Sequence, residues 1–223
     1  MTRFKITVEY DGAGFVGWQR QDNGLGVQQA LEIAITAFCG ESATVFGAGR
    51  TDSGVHALAQ VAHFELEKKF TAYQVCEALN YHLKGQRVSV LQAQVADADF
   101  HARFSATGRS YTYRIINRRG PLALDLGRAW RQKGDIDTAA MHEAAQVLIG
   151  KHDFTTFRAT NCQADSPVKT LSLLNVQRHG DGITVAAQAR SFLHHQVRNL
   201  VGTLMLVGRR KWGPDDVKTA LDA

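Results

Sequence analysis

The sequence predicts an α+β protein made of two ferredoxin-like α/β halves whose antiparallel sheets pack together. Three observations carry this. The first hundred residues read strand, helix, strand, strand, helix, strand, the split β-α-β order. The second half repeats nearly that order without visibly matching the first in sequence. At 223 residues the chain suits two small α/β units better than one core, and no low-complexity linker parts them. The halves are expected at 1–104 and 105–223, joined near Asp97–Ala106, with close packing between them.

From Arg3 to Tyr10, Phe4, Ile6, Val8 and Tyr10 alternate with Lys5, Thr7 and Glu9, the pattern of a half-buried strand. Glycines 12, 14 and 17 make a turn. Val27, Ala30, Leu31, Ala34, Ile35 and Phe38 follow the spacing of an amphipathic helix, which Gly40 stops. Thr44–Phe46 and Ala59–Leu66 read as strands, Thr71 caps a helix reaching Leu83, and Arg87–Val95 closes the first half. In the second half, Ser110–Ile116 is a strand and Asp137 caps a helix to Ile149. Thr170–Gln177 and Ile183–Ala189 form a hairpin, Phe192–Val207 is a long helix, and a last helix begins at Pro214.

Hydrophobic residues make up 44% of the chain, enough for sizeable cores. The alternating N-terminus is not a signal peptide and no apolar run reaches a membrane span, so a cytoplasmic protein with no membrane partner is expected. Cys39, Cys76 and Cys162 lack any framework spacing and read as small apolar groups in a reducing compartment. A net charge of +5 permits a polyanionic partner. The charge is uneven: His101–Arg131 holds seven arginines (Arg103, Arg109, Arg114, Arg118, Arg119, Arg128 and Arg131) against one acid, Asp125. That composition favours a phosphate-binding surface over a merely solvated face.

Between the second and third strands lies GAGRTDSGVHA, Gly47–Ala57. The next glycine a nucleotide-binding loop would need falls on Asp52, and no Gly-Lys-Ser/Thr follows. A nucleophile elbow around Ser53 would need glycine where Thr51 and Val55 stand. His56, His63 and His101 are scattered. His194 and His195, placed on a helix, would diverge by about 100°, so no metal site is expected. What remains is one carboxylate, Asp52, in a glycine-rich turn beside Arg50. A lone Asp in a turn usually satisfies backbone N–H groups. Nucleophilic carboxylates, however, serve at sugar anomeric carbons, and a nearby guanidinium keeps such a group ionised.

This segment resembles the catalytic motif of the TruA family of tRNA pseudouridine synthases. EYDGAGFVGWQRQ (9–21), FHARFSATGRSYTYRI (100–115), DFTTFRA (153–159) and FLHHQVRN (192–199) are similar to further TruA segments, in the family's order. The resemblance implies isomerisation of uridine to pseudouridine at positions 38–40 of the tRNA anticodon stem-loop, without cofactor or metal. It implies an active-site cleft between the halves and a homodimer with one tRNA reaching across both subunits. By carry-over, Asp52 is the catalytic nucleophile on a flipped-out uridine, attacking either C1′ of the ribose or C6 of the base. Arg50 stands by the displaced nucleotide, Tyr111 stacks on the uracil and Arg198 pairs with Asp52. Arg103, Arg109 and Arg114 would contact RNA. Tyr113 alternates with Tyr111 in one strand, so one of the two can be simple core. Trp18 reads as a core anchor.

Two departures stand out. The family's Asn-x-x-Leu-Pro step reads Asn80-Tyr81-His82-Leu83-Lys84 here, and the family's final strand is expected beyond Ala223, leaving the second half without its last strand. Two other functions compete: a non-catalytic RNA-binding module or RNA chaperone on the same scaffold, and a carboxylate glycosidase. The glycosidase needs a second carboxyl as general acid, for which Asp153 is the nearest candidate.

Overall fold

The structure, a computed structural model, describes residues 1–223. The chain divides into two compact units, Met1–Ala106 and Thr107–Ala223.

The first unit runs β1 (Thr2–Tyr10), α1 (Val27–Cys39), β2 (Phe46–Gly47), β3 (Ala57–Leu66), α2 (Ala72–His82) and β4 (Val88–Ala96). Its sheet has the order β2-β3-β1-β4, antiparallel throughout. That is the ferredoxin-like arrangement the element order called for. The alternation in β1 buries Phe4, Ile6, Val8 and Tyr10 against Leu31, Ile35, Val75 and Leu79 from the helices. Gly40 ends α1 in the left-handed conformation, at φ 74°. Thr71 and Gln74 exchange the reciprocal hydrogen bonds of a capping box at the start of α2. Asn80, near the end of α2, joins helix to sheet. Its Nδ2 donates to Val90 O at 2.8 Å, and its Oδ1 accepts from Val90 N at 2.8 Å.

The second unit runs β5 (Arg109–Asn117), β6 (Trp130–Gln132), α3 (Thr138–Gln146), β7 (Gly150–Asp153), a 3₁₀ turn (Thr155–Phe157), β8 (Val168–His179), β9 (Gly182–Ala189), α4 (Gln196–Gly208) and α5 (Pro214–Asp222). Its sheet has the order β6-β5-β9-β8-β7. Met141, Leu148, Phe154, Phe157, Leu200 and Leu204 pack against Ile115, Leu174, Ile183 and Val185.

Four expectations need correction here. The sheet is mixed, because β6 runs parallel to β5, pairing Ile115–Asn117 with Trp130–Gln132. Neither β6 nor β7 was expected; at three and four residues they are too short to show a period. α3 stops at Gln146 rather than Ile149. Its last turn tightens to i→i−3 bonds, with Val147 N donating to Ala144 O and Leu148 N to Ala145 O. α4 begins at Gln196 rather than Phe192. His195 stands in the left-handed region at φ 60°, and the Leu193 N–H is taken by the Gln196 side chain at 2.9 Å. His194 and His195 therefore do not diverge on a helix; their rings lie 4.0 Å apart.

Candidate active site

The Gly47–Ala57 segment joins β2 to β3 in the first unit. Its main chain is tied down on two sides. On the β3 side, Ala48 N donates to Val61 O at 2.8 Å, and Gln60 Nε2 to Gly49 O at 2.6 Å. On the other, the segment Glu9–Gln21 wraps it. Trp18 N donates to Thr51 O at 2.9 Å, and the hydroxyls of Tyr10 and Thr51 lie 2.8 Å apart. Ser53 Oγ donates to Phe15 O at 3.2 Å, and Gly17 and Asp52 form an antiparallel bridge. The first two motifs of the sequence thus build one structure, with Asp52 at the bridge between them.

Two glycines make this approach possible. A Cβ on Gly12 would lie 2.1 Å from Val55 O, and one on Gly17 would lie 2.7 Å from Thr51 O. Gly17 also sits at φ 125°, closed to ordinary side chains. Trp18 is buried against Gly47 and Tyr10, so it is the expected core anchor. His56 Nδ1 lies 2.8 Å from Asp11 Oδ1 and 3.1 Å from Gly12 N; a proton on Nδ1 serves the carboxylate, and a bare Nδ1 accepts from the amide. Asp52 is half-buried on this frame and Arg50 is exposed two residues before it. A carboxylate so held can act as a nucleophile or as a local negative charge without first ordering the chain.

In the second unit, Tyr111 lies on β5 opposite Ala187 of β9. Its ring meets Phe192 edge-on, with centroids 5.1 Å apart. Tyr113 packs on the core and against Trp130, and so takes the structural role of the pair. Arg198 is exposed on the first turns of α4, while Val197, Leu200 and Val201 face the core. The segments Asp153–Ala159 and Phe192–Asn199 are laced together. Ala159 N donates to His194 O at 2.9 Å, and Asn199 Nδ2 to Phe157 O at 3.0 Å.

The arginine-rich stretch is less uniform than its composition suggests. Arg103 is exposed on the turn before Ser105. Arg109 donates to Arg190 O and lines a shallow cavity of about 320 Å³ with Ser110, Thr170, Ser172, Gln188 and Arg190. Arg114 pairs with Asp125 at 3.0 Å, so the one acid of the stretch neutralises one of its candidate RNA contacts. Arg118 donates to Pro121 O and Arg131 to Arg119 O, bracing the loop between β5 and β6.

Asp153 does not suit a general acid. Hydrogen bonds from the Thr155 side chain and then from its N–H, the latter at 2.8 Å, hold its carboxyl below the ordinary carboxylate range. A general acid needs a raised value instead. Sequence reasoning missed three residues that hold these segments: Gln60, Asn80 and Gln196. Asn80 and Gln196 lie within quoted segments, but nothing in those segments shows which backbone groups their amides bind; Gln60 lies in no motif.

Comparison with known proteins agrees with this architecture. The family profile described as tRNA pseudouridine synthase matches residues 6–139 and 144–223. Over the whole chain, the sequence is 61% identical to tRNA pseudouridine synthase A of Rhodospirillum centenum, of which it spans 91%. It is 57% identical to the protein of that name from Paramagnetospirillum magneticum and 58% identical to that of Rhodospirillum rubrum, spanning 87% and 80% of them. With the Asp52 loop, its glycine cradle and the Tyr111 and Arg198 segments all falling within the matched region, the chain belongs to the tRNA pseudouridine synthase family.

Proposed function

We propose that this chain is an isomerase that converts uridine to pseudouridine at positions 38–40 of the tRNA anticodon stem-loop, with Asp52 as the nucleophile. The observation that carries the assignment is the double anchoring of the Asp52 loop, by β3 and by the Glu9–Gln21 segment. A binding module has no need to hold a carboxylate in place among groups that meet phosphates. A glycosidase needs a second acid, and Asp153 is committed to its turn.

In this reading the target uridine leaves the stem, at a cost of a few kcal/mol. Stacking on Tyr111 returns about 1–3 kcal/mol. Asp52 attacks C1′, displacing uracil through N1, or adds to C6 before the N1–C1′ bond breaks; the base turns, C5 bonds to C1′, the bond to Asp52 breaks, and N1 takes up a proton. The C5 proton then leaves to solvent, so the reaction needs no redox partner. Arg198 pairs with Asp52 and Arg50 occupies the space the nucleotide vacates. Arg103 and Arg109 hold flanking phosphates, with Arg114 a weaker contributor because Asp125 shares its charge. The working form is a homodimer in the cytoplasm. No helix is long and apolar enough to cross a membrane.

The test is tritium release from tRNA labelled at C5 of uridine, with the parent chain and with Asp52→Ala. Release by the parent and none by the variant is the expected result. Equal release by both would remove Asp52 from the mechanism. tRNA binding with no release by the parent would favour the non-catalytic RNA-binding reading, and liberation of free uracil would favour the glycosidase.

A further inference from the structure

One buried polar side chain in the first unit has no part in the proposed chemistry. His63 lies on the open face of the sheet, on the side of β3 away from α1 and α2, yet it is only 3% exposed. What covers it is the segment Ala98–Ser105, which crosses this face as a strap. Ala102 N donates to His63 Nδ1 at 3.1 Å. With Nδ1 accepting, the proton of the neutral ring sits on Nε2. The rings of Phe46, Phe100 and His101 surround it, with centroids 5.1, 5.9 and 4.6 Å away. Arg3 on β1 donates to the carbonyls of Ala98 and Phe100, the latter at 2.7 Å, and the Lys5 ammonium lies over the Phe100 ring.

The strap also closes on itself. Ser105 N donates to His101 O at 2.8 Å, His101 N to Ser105 Oγ at 3.1 Å, and Arg103 N to His101 Nδ1 at 3.2 Å. At the crest of this turn stand Arg103, exposed, and Phe104, 74% exposed, its ring 4.4 Å from that of His101. An exposed aromatic ring next in the chain to an exposed arginine, on an ordered turn, suits one nucleotide: a base stacks on the ring and its phosphate meets the arginine.

We propose that His63, with Arg3, is a positioning residue that locks the Ala98–Ser105 strap so that Arg103 and Phe104 together hold one unpaired nucleotide of the substrate tRNA. This rests on the reading of the chain as a tRNA-binding enzyme. The lock is built for a neutral ring. Burial first, then the neighbouring charges of His101 and Arg3, hold His63 below the ordinary histidine range, against the opposing effect of Glu65; Lys5 is the other cation on this face. Protonation would place an N–H at Nδ1 against the N–H of Ala102. The neutral lock is complete above the unfolded value of about 6.5. It is lost as pH falls below that, through the lowered value in the folded chain.

The experiment compares tRNA Kd and kcat for the parent, His63→Phe, His63→Asn, Arg103→Ala/Phe104→Ala and the triple variant. Phe keeps the ring but loses the acceptor; Asn places Oδ1 where Nδ1 stood. His63→Phe should weaken tRNA binding about tenfold and lower kcat far less. His63→Asn should bind within about threefold of the parent and lose the weakening the parent shows once the pH falls below the ordinary histidine range, through His63's lowered value. In the Arg103→Ala/Phe104→Ala background, His63→Phe should add little. Unchanged affinity in His63→Phe or in Arg103→Ala/Phe104→Ala overturns the proposal, and so does an additive effect in the triple variant. The readout is Kd, so a parent chain that bound tRNA without turnover would strike the proposed catalysis and leave this comparison intact.

Discussion

Replacing Gly12 with alanine should disable the enzyme at a distance from Asp52, the proposed nucleophile. The new Cβ would lie 2.1 Å from Val55 O, 2.6 Å from Val55 C and 3.0 Å from Gly54 C. All three are main-chain atoms, so no side-chain rotation relieves the clash. Reaching even 3.0 Å from the Val55 oxygen requires a shift of about 0.9 Å. That carbonyl lies three residues beyond Asp52, and Val55 N donates to Asp52 O at 3.1 Å, so the displacement passes to the proposed nucleophile. A misplacement of about 1 Å costs roughly 10²-fold in rate, and overpacking costs about 1–3 kcal/mol in stability. Tritium release under single-turnover conditions should therefore fall about 100-fold in Gly12→Ala, with tRNA affinity held within about threefold. A folded variant that turned over within threefold of the parent would refute the argument that the glycine cradle sets Asp52.

Two further substitutions probe other parts of the structure. Gly202 lies inside α4 with open space where a Cβ would go. Gly202→Ala should stabilise the chain by about 1 kcal/mol, raise Tm by about 2–4 °C and leave tritium release unchanged; calorimetry showing a lower Tm would contradict the packing described for α4. Arg109→Ala should reduce the slope of log affinity against log salt by about one, whereas Arg114→Ala should change it much less, because Asp125 already neutralises Arg114. Filter binding of tRNA across a potassium chloride series separates the two, and equal slopes would remove the distinction.

Much of the fold was legible in the sequence because its signals are local. The alternation of β1, the Gly40 stop and the Thr71 cap each depend on neighbours a few residues away, and each reappears in the structure. The Asp52 loop was legible too, since a carboxylate among three glycines departs from ordinary turn chemistry. The unread elements depend on partners far along the chain. β6 and β7 exist only through pairing with β5 and β8. The start of α4 is set by the backbone of His195 and the side chain of Gln196, which the apolar periodicity of Phe192–Val207 concealed.

The sequence by itself determined the element order of the first unit, the faces its strands bury, and the candidate nucleophile with its arginine and tyrosine partners. Only the tertiary structure decided which polar residues are structural. His63 falls on the open face of β3 by alternation and would pass for a solvated residue, until a strap nearly forty positions later covers it. Gly12 and Gly17 read as turn residues, but their missing side chains are needed because a second segment presses against them. The physical reason is the same in both cases. Periodicity and turn chemistry act through adjacent residues, whereas burial and close approach arise only when the chain closes on itself and brings distant segments within a few ångströms.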